Sequence, residues 1–94
     1  MVVGVAPHQV DGRCVNLSSG GLCGELRSSV PVGEVQALGL SLVFGEAKSE
    51  ALALQGRAVW CTQIGEVWQV GFQFLTMNRE QRSFLNIFLE HLGG

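Results

Sequence analysis

Apolar and polar residues alternate with a period of two through most of the chain, and near residue 75 the spacing becomes helical. In "VQALGLSLVF", Leu38, Leu40, Leu42 and Phe44 share one face, opposite Ala37, Gly39, Ser41 and Val43. "ALALQGRAVWC" repeats the device with Leu52, Leu54, Ala58 and Trp60 in phase. "EVWQVGFQF" sets Trp68, Val70, Phe72 and Phe74 against Val67, Gln69, Gly71 and Gln73. The short link Ile64 to Glu66 carries a glycine, which predicts a β-hairpin between these last two runs. Shorter runs add three strands: "MVVGVA" ending at Pro7, then "GRCVNL" and "GLCGEL" on either side of a Ser-Ser-Gly turn. "VPVGEV" holds Pro31 and Gly33 and reads as a connection. Six short strands with close turns predict a mainly β domain, a small antiparallel barrel or sandwich.

After residue 75 the logic is that of a helix. Asn78 followed by Gln81 forms a capping box, and Gly93 suits the position after a helix end, so a helix is predicted over about 79–92. Phe84, Leu85, Phe88, Leu89 and Leu92 cover an arc of about 140° at this spacing, with Ile87 beyond it. A helix of this kind packs on the sheet, and its apolar stripe is wider than one contact covers. Phe84, Ile87 and Phe88 are therefore candidate interface residues, with a homodimer through the helix as one form of that contact. The 94 residues fit a single domain, 1–94, with one core.

Composition narrows the chemistry. The net charge is −2 and only 6 residues are Lys or Arg, which excludes broad phosphate neutralisation and hence DNA or RNA as the expected partner. The three cysteines, Cys14, Cys23 and Cys61, show no C-x-x-C spacing, so neither a disulfide framework nor a zinc site is signalled. No run of residues has membrane-spanning length, and the start lacks the features of a signal peptide. A soluble cytoplasmic protein without membrane insertion is expected. His8 and Asp11 lie in a predicted loop and His91 lies beside Glu90 on the helix, with no nucleophile–base pairing and no metal-ligand cluster. The expectation is a protein that is not an enzyme and carries no cofactor or metal.

The densest polar chemistry is "NLSSGG", Asn16 to Gly21. One reading is a turn, since Asn and Ser bond to nearby backbone and Gly accepts unusual dihedral angles. The other is a small site in which Asn16 and Ser18, beside exposed backbone N–H groups, hold a phosphate or a base edge. Trp60 and Trp68 likewise divide between a stacking platform for a purine and core or rim packing. Gly71 marks either a close backbone approach or a bulge.

The order of these features resembles the PilZ domain family. Asn16, Ser18 and Gly21 match its D/N-x-S-x-x-G motif after a short strand, followed by "GRAVW", "WQVGFQF" and the closing helix. The resemblance covers about Asp11 to Leu92 and implies a six-stranded antiparallel β-barrel with a C-terminal helix. It also implies a bacterial signalling domain whose ligand is cyclic di-GMP, with Asn16, Ser18 and Gly21 on the ligand surface. The family's second motif, R-x-x-x-R before the first strand, is not found in this sequence. Its arginines would supply charge-assisted contacts, each on the order of 1.5–3 kcal/mol. Arg13, Arg27 and Arg57 are partial substitutes or solvated strand charges, and Arg13 and Trp60 are candidate accessory ligand contacts. Two functions follow: a domain that binds cyclic di-GMP and relays the signal to a partner protein or neighbouring domain, or a PilZ-like adaptor acting by protein contacts alone.

Overall fold

The computed structural model describes residues 2–6, 10–41, 43–44 and 46–91. Strands β1 (Val2–Ala6), β2 (Val10–Leu17), β3 (Gly21–Leu26) and β4 (Val35–Ser41) precede a short pair, β5 (Val43–Phe44) and β6 (Ala47–Lys48). Strands β7 (Leu52–Ile64) and β8 (Val67–Phe74) follow, then helix α1 (Arg79–His91). Five antiparallel strands curl into a sheet in the order β2-β3-β8-β7-β4, and β1 pairs with β2 through Val2↔Arg13 and with β4 through Val2↔Ser41. The protein is mainly β with one C-terminal helix.

Alternation predicts the inner face correctly along most of its length. Leu38 and Leu40 on β4, Leu52, Leu54 and Ala58 on β7, and Val70, Phe72 and Phe74 on β8 are all buried. Leu22 and Leu26 from β3 join them, and Val30 is buried from the connection after β3. That connection has no strand between Leu26 and Val35, as Pro31 and Gly33 predict; Gly33 has φ +92 and so needs glycine's freedom. The β7–β8 link is the expected tight hairpin, with Gly65 at φ +64. Pro7, His8, Leu42, Leu92 and Gly93 lie outside the described residues.

Two points differ from the sequence reading, besides Asp11, which the sequence sets in a loop and the structure sets on β2 opposite Gly4. "VQALGLSLVF" is not one strand: β4 ends at Ser41, and Val43 and Phe44 pair instead with Lys48 and Ala47. Ladders this short fall below the length at which periodicity is readable. The second difference concerns phase. The β7–β8 register runs Ala58↔Phe72 and then Trp60↔Gly71, so β7 carries one extra residue, Val59. Strict alternation would set Trp60 opposite inward-facing Val70; the bulge turns it outward, and it is 42% exposed. Beyond the bulge Cys61 takes the inward position against the core. Strand β2 does the same: Cys14↔Gly24 is followed by Asn16↔Cys23, with Val15 extra, so Asn16 turns away from buried Leu22.

The capping box forms in both directions. The Gln81 N–H donates to Asn78 Oδ1 at 2.8 Å, and the Asn78 N–H donates to Gln81 Oε1 at 2.9 Å. The same Gln81 side chain donates through Nε2 to the Ala53 carbonyl at 2.9 Å, fastening the helix start to β7. Leu85 and Phe88 are buried in the core, with Leu89 packed beside them. Phe84 and Ile87, the candidate interface residues, stay 46% and 55% exposed. Phe88, expected with them, is only 6% exposed and belongs to the core: it lies nearer the middle of the buried arc. Asn78→Ala removes one half of the cap and is expected to cost about 1 kcal/mol, read as a lowered midpoint in thermal unfolding.

Candidate functional site

The two bulges bring the candidate residues to one place. Across the outer face of the sheet, Asn16 on β2 stands opposite Cys23 on β3, Cys23 opposite Gly71 on β8, and Gly71 opposite Trp60 on β7. This row of four strands forms the floor of a cleft of about 210 Å³, which Ser18 and Gly21 also line. Each end of the row is a side chain that a bulge has turned outward.

Gly71 decides where the indole sits. A Cβ at position 71 would overlap Nε1 of Trp60 and lie 2.8 Å from its Cδ1, so the ring lies directly over the glycine backbone. Both sequence readings of Gly71 hold, because the close approach occurs at the bulge. The two tryptophans part company: Trp60 lines the cleft, whereas Trp68 is half-buried and packs against the core.

The loop after β2 is both a turn and a wall of the cleft. The Ser18 N–H donates to the Gly21 carbonyl at 2.9 Å, and its hydroxyl donates to that carbonyl and accepts from the Gly20 N–H, each at 3.3 Å. The Phe74 N–H donates to the Gly20 carbonyl at 2.9 Å, pinning the turn to β8. Gly21 has a structural duty, since a Cβ there would run into the Phe72 carbonyl oxygen. Its hydrogen atom lets β3 approach β8.

Charge near the cleft is arranged around it rather than within it. None of the described residues lining the cleft is Lys or Arg. Arg13 is exposed and its Nε lies 3.4 Å from Glu25 Oε1, its cross-strand partner. Arg57 is also exposed and stands opposite Gln73, which in turn faces Gly21. The two arginines thus flank the Asn16–Trp60 row on either side. No group of three His, Cys, Asp or Glu suited to a metal occurs among the described residues.

Two thiols lie near this floor. Burial pushes the Cys14 thiol up, against a smaller lowering effect of the Asn16 backbone, and the thiol donates to the Asn16 carbonyl at 3.3 Å. Burial, with the nearby Glu25 carboxylate, also raises Cys23. Both groups hold their protons more tightly when folded, so their contribution to stability is complete below the ordinary thiol value of 9.0 and is lost as pH rises through the higher folded values. Iodoacetamide is expected to alkylate Cys14 and Cys23 more slowly in the native protein than in urea at the same pH, as peptide mass spectrometry would show.

The model of the PilZ domain family matches residues 2–91, a span that takes in both bulges, the cleft and α1. The chain belongs to the PilZ domain family. No curated protein and no solved structure matches it. PilZ domains are receptor and adaptor modules of the cyclic di-GMP-binding type and are not enzymes. No described helix of this PilZ domain is long and apolar enough to cross a membrane. Sequence reasoning missed Cys23 and Val59 as cleft-lining residues, because their membership follows from strand register. The exposed positions of Val15 and Val59 mark the bulges, and no break in the apolar pattern announces either one.

Proposed function

We propose that this PilZ domain, in the cytoplasm of a bacterium, receives cyclic di-GMP against the outer-face cleft and relays its binding through protein contacts. The observation that carries this reading is the gathering of Asn16, Ser18, Gly21 and Trp60 around one concavity. The exposed Asn16 amide offers both a donor and an acceptor to a guanine edge or a phosphate oxygen. The exposed indole of Trp60 offers a face for base stacking, worth roughly 1–3 kcal/mol. The cleft, at about 210 Å³, is smaller than the roughly 300–1,000 Å³ of sites that enclose a drug-sized ligand. It takes one base, and the remainder of the dinucleotide lies across the sheet between the flanking Arg13 and Arg57. In this reading β1 closes the sheet into a six-stranded barrel, supported by its register to both β2 and β4. Closure holds the β2 bulge in place.

The test is calorimetry with cyclic di-GMP on this chain and on the chain extended upstream in its gene. Saturable heat from either, abolished by Asn16→Ala with Trp60→Ala, is the expected result. Silence from both removes direct binding. A second reading, an adaptor that needs no nucleotide, is favoured by one observation: no described Lys or Arg lines the cleft to meet a phosphate. It predicts partner binding unchanged by added cyclic di-GMP.

A further inference from the structure

We propose that the groove between α1 and residues 49–53 is the docking site for a cationic amphipathic helix of a partner protein. The groove has a volume of about 670 Å³, larger than the nucleotide cleft, and lies where the helix crosses the start of β7. One wall is a stripe along α1, with Glu80, Phe84 and Ile87 at spacings of four and three residues. Leu52 and Phe88 lie deeper, and Glu50 stands on the opposite wall.

Its charge selects the occupant. The described lining residues include two carboxylates, Glu50 and Glu80, and no Lys or Arg. An apolar floor with acidic walls fits a helix whose leucine-like stripe is bordered by lysines or arginines, docked in the helix-in-groove manner. A second copy of the chain fits poorly, because a two-fold contact would set Glu50 and Glu80 against the same acidic lining, with Arg79 and Arg82 outside it. An anionic membrane surface is disfavoured by the same charges. The groove is also built in advance. Gln81 caps the helix and bonds to the Ala53 carbonyl, so wall and floor are joined before anything docks. From Glu80 to Ile87 the wall runs about two helical turns, enough for partner anchors at i, i+3 or i+4, and i+7.

This inference rests on the protein-contact half of the proposed function, and its test omits nucleotide, so failure of cyclic di-GMP binding leaves it untouched. The probe is a fluorescein-labelled helical peptide of about 14 residues, with leucines on one stripe and lysines elsewhere, compared with its glutamate counterpart. Fluorescence anisotropy with the whole chain is expected to show micromolar binding of the lysine peptide and at least about tenfold weaker binding of the glutamate peptide. Phe84→Ser and Ile87→Ser should each weaken the lysine peptide by about tenfold or more. Both side chains are exposed, so thermal melts should show folding intact; if one variant melts early, the other carries the same test. Glu50→Gln combined with Glu80→Gln should flatten the salt dependence of binding. Equal binding of the two peptides, or binding indifferent to both serine variants, would overturn the proposal. So would a dimer in sedimentation that the serine variants dissolve and the peptide cannot displace.

Discussion

Gly21→Ala is expected to lower the unfolding free energy by about 3 kcal/mol, whereas Gly20→Ala, one residue earlier, should change it by no more than about 0.5 kcal/mol. The contrast follows from where each new methyl group would fall. At position 21 it meets the carbonyl oxygen of Phe72, part of the β3–β8 ladder, where Gly21 pairs with Gln73. Backbone cannot swing aside as a side chain does, so the strands must separate or the carbonyl must tilt out of its hydrogen bond. At position 20 the methyl group finds nothing within 4 Å. In a domain of this size the Gly21 change corresponds to a fall in melting temperature of about 12–24 °C, measurable by calorimetry or circular dichroism. Equal melting of the two variants would show that β3 does not approach β8 so closely. The result also bears on function, because it separates a glycine that shapes the site from one that touches a ligand.

The second large effect concerns the indole. Trp60→Ala should weaken cyclic di-GMP roughly 5- to 150-fold in the binding-competent chain, the equivalent of one lost base stack. Gly71→Ala should produce a similar loss although it deletes nothing. Its methyl group occupies the space of the Trp60 ring, and the ring, being a partly exposed side chain, is displaced into solvent at small cost in stability. Because both substitutions act on one platform, the double variant should bind no worse than either single one. Titration calorimetry on the four proteins forms the cycle. Wild-type affinity in Gly71→Ala would sink the idea that the ring's seat over the strand is part of the site. Additive losses would mean that Gly71 contributes separately.

Much of the fold was legible because burial and sequence period coincide. Leu38, Leu40, Leu52 and Leu54 lie on their expected faces, and the reciprocal bonds of Asn78 and Gln81 form where the capping box predicts them. Phe84 and Ile87 are exposed while Phe88 is buried, because a wheel gives an arc without saying where the opposing sheet ends. The candidate site was legible only as a set of parts. Asn16, Ser18 and Gly21 stood out as turn chemistry, but their conjunction with Trp60 depends on cross-strand register. In the bare pattern Trp60 shares the phase of Leu52 and Leu54, and that pattern points it inward. The bulge reverses this through backbone geometry, for which Val59 carries no residue-type signal. Arg13, an accessory candidate in the sequence, is paired with Glu25 beside the cleft rather than lining it.

The bulges make two positions places where the chain could lose a residue without losing its register. Val15 and Val59 are exposed, and many side chains would fit in their place. Deleting either residue should flatten the bulge and keep the pairs on both sides of it. Without Val59, Trp60 would follow Ala58 directly, and strict pairing from Ala58↔Phe72 would keep it opposite Gly71 on the outer face. Without Val15, Asn16 would follow Cys14 directly and stay opposite Cys23, with its amide outward. A single lost codon at either place would therefore leave both ends of the cleft in register and remove only the local bend and twist.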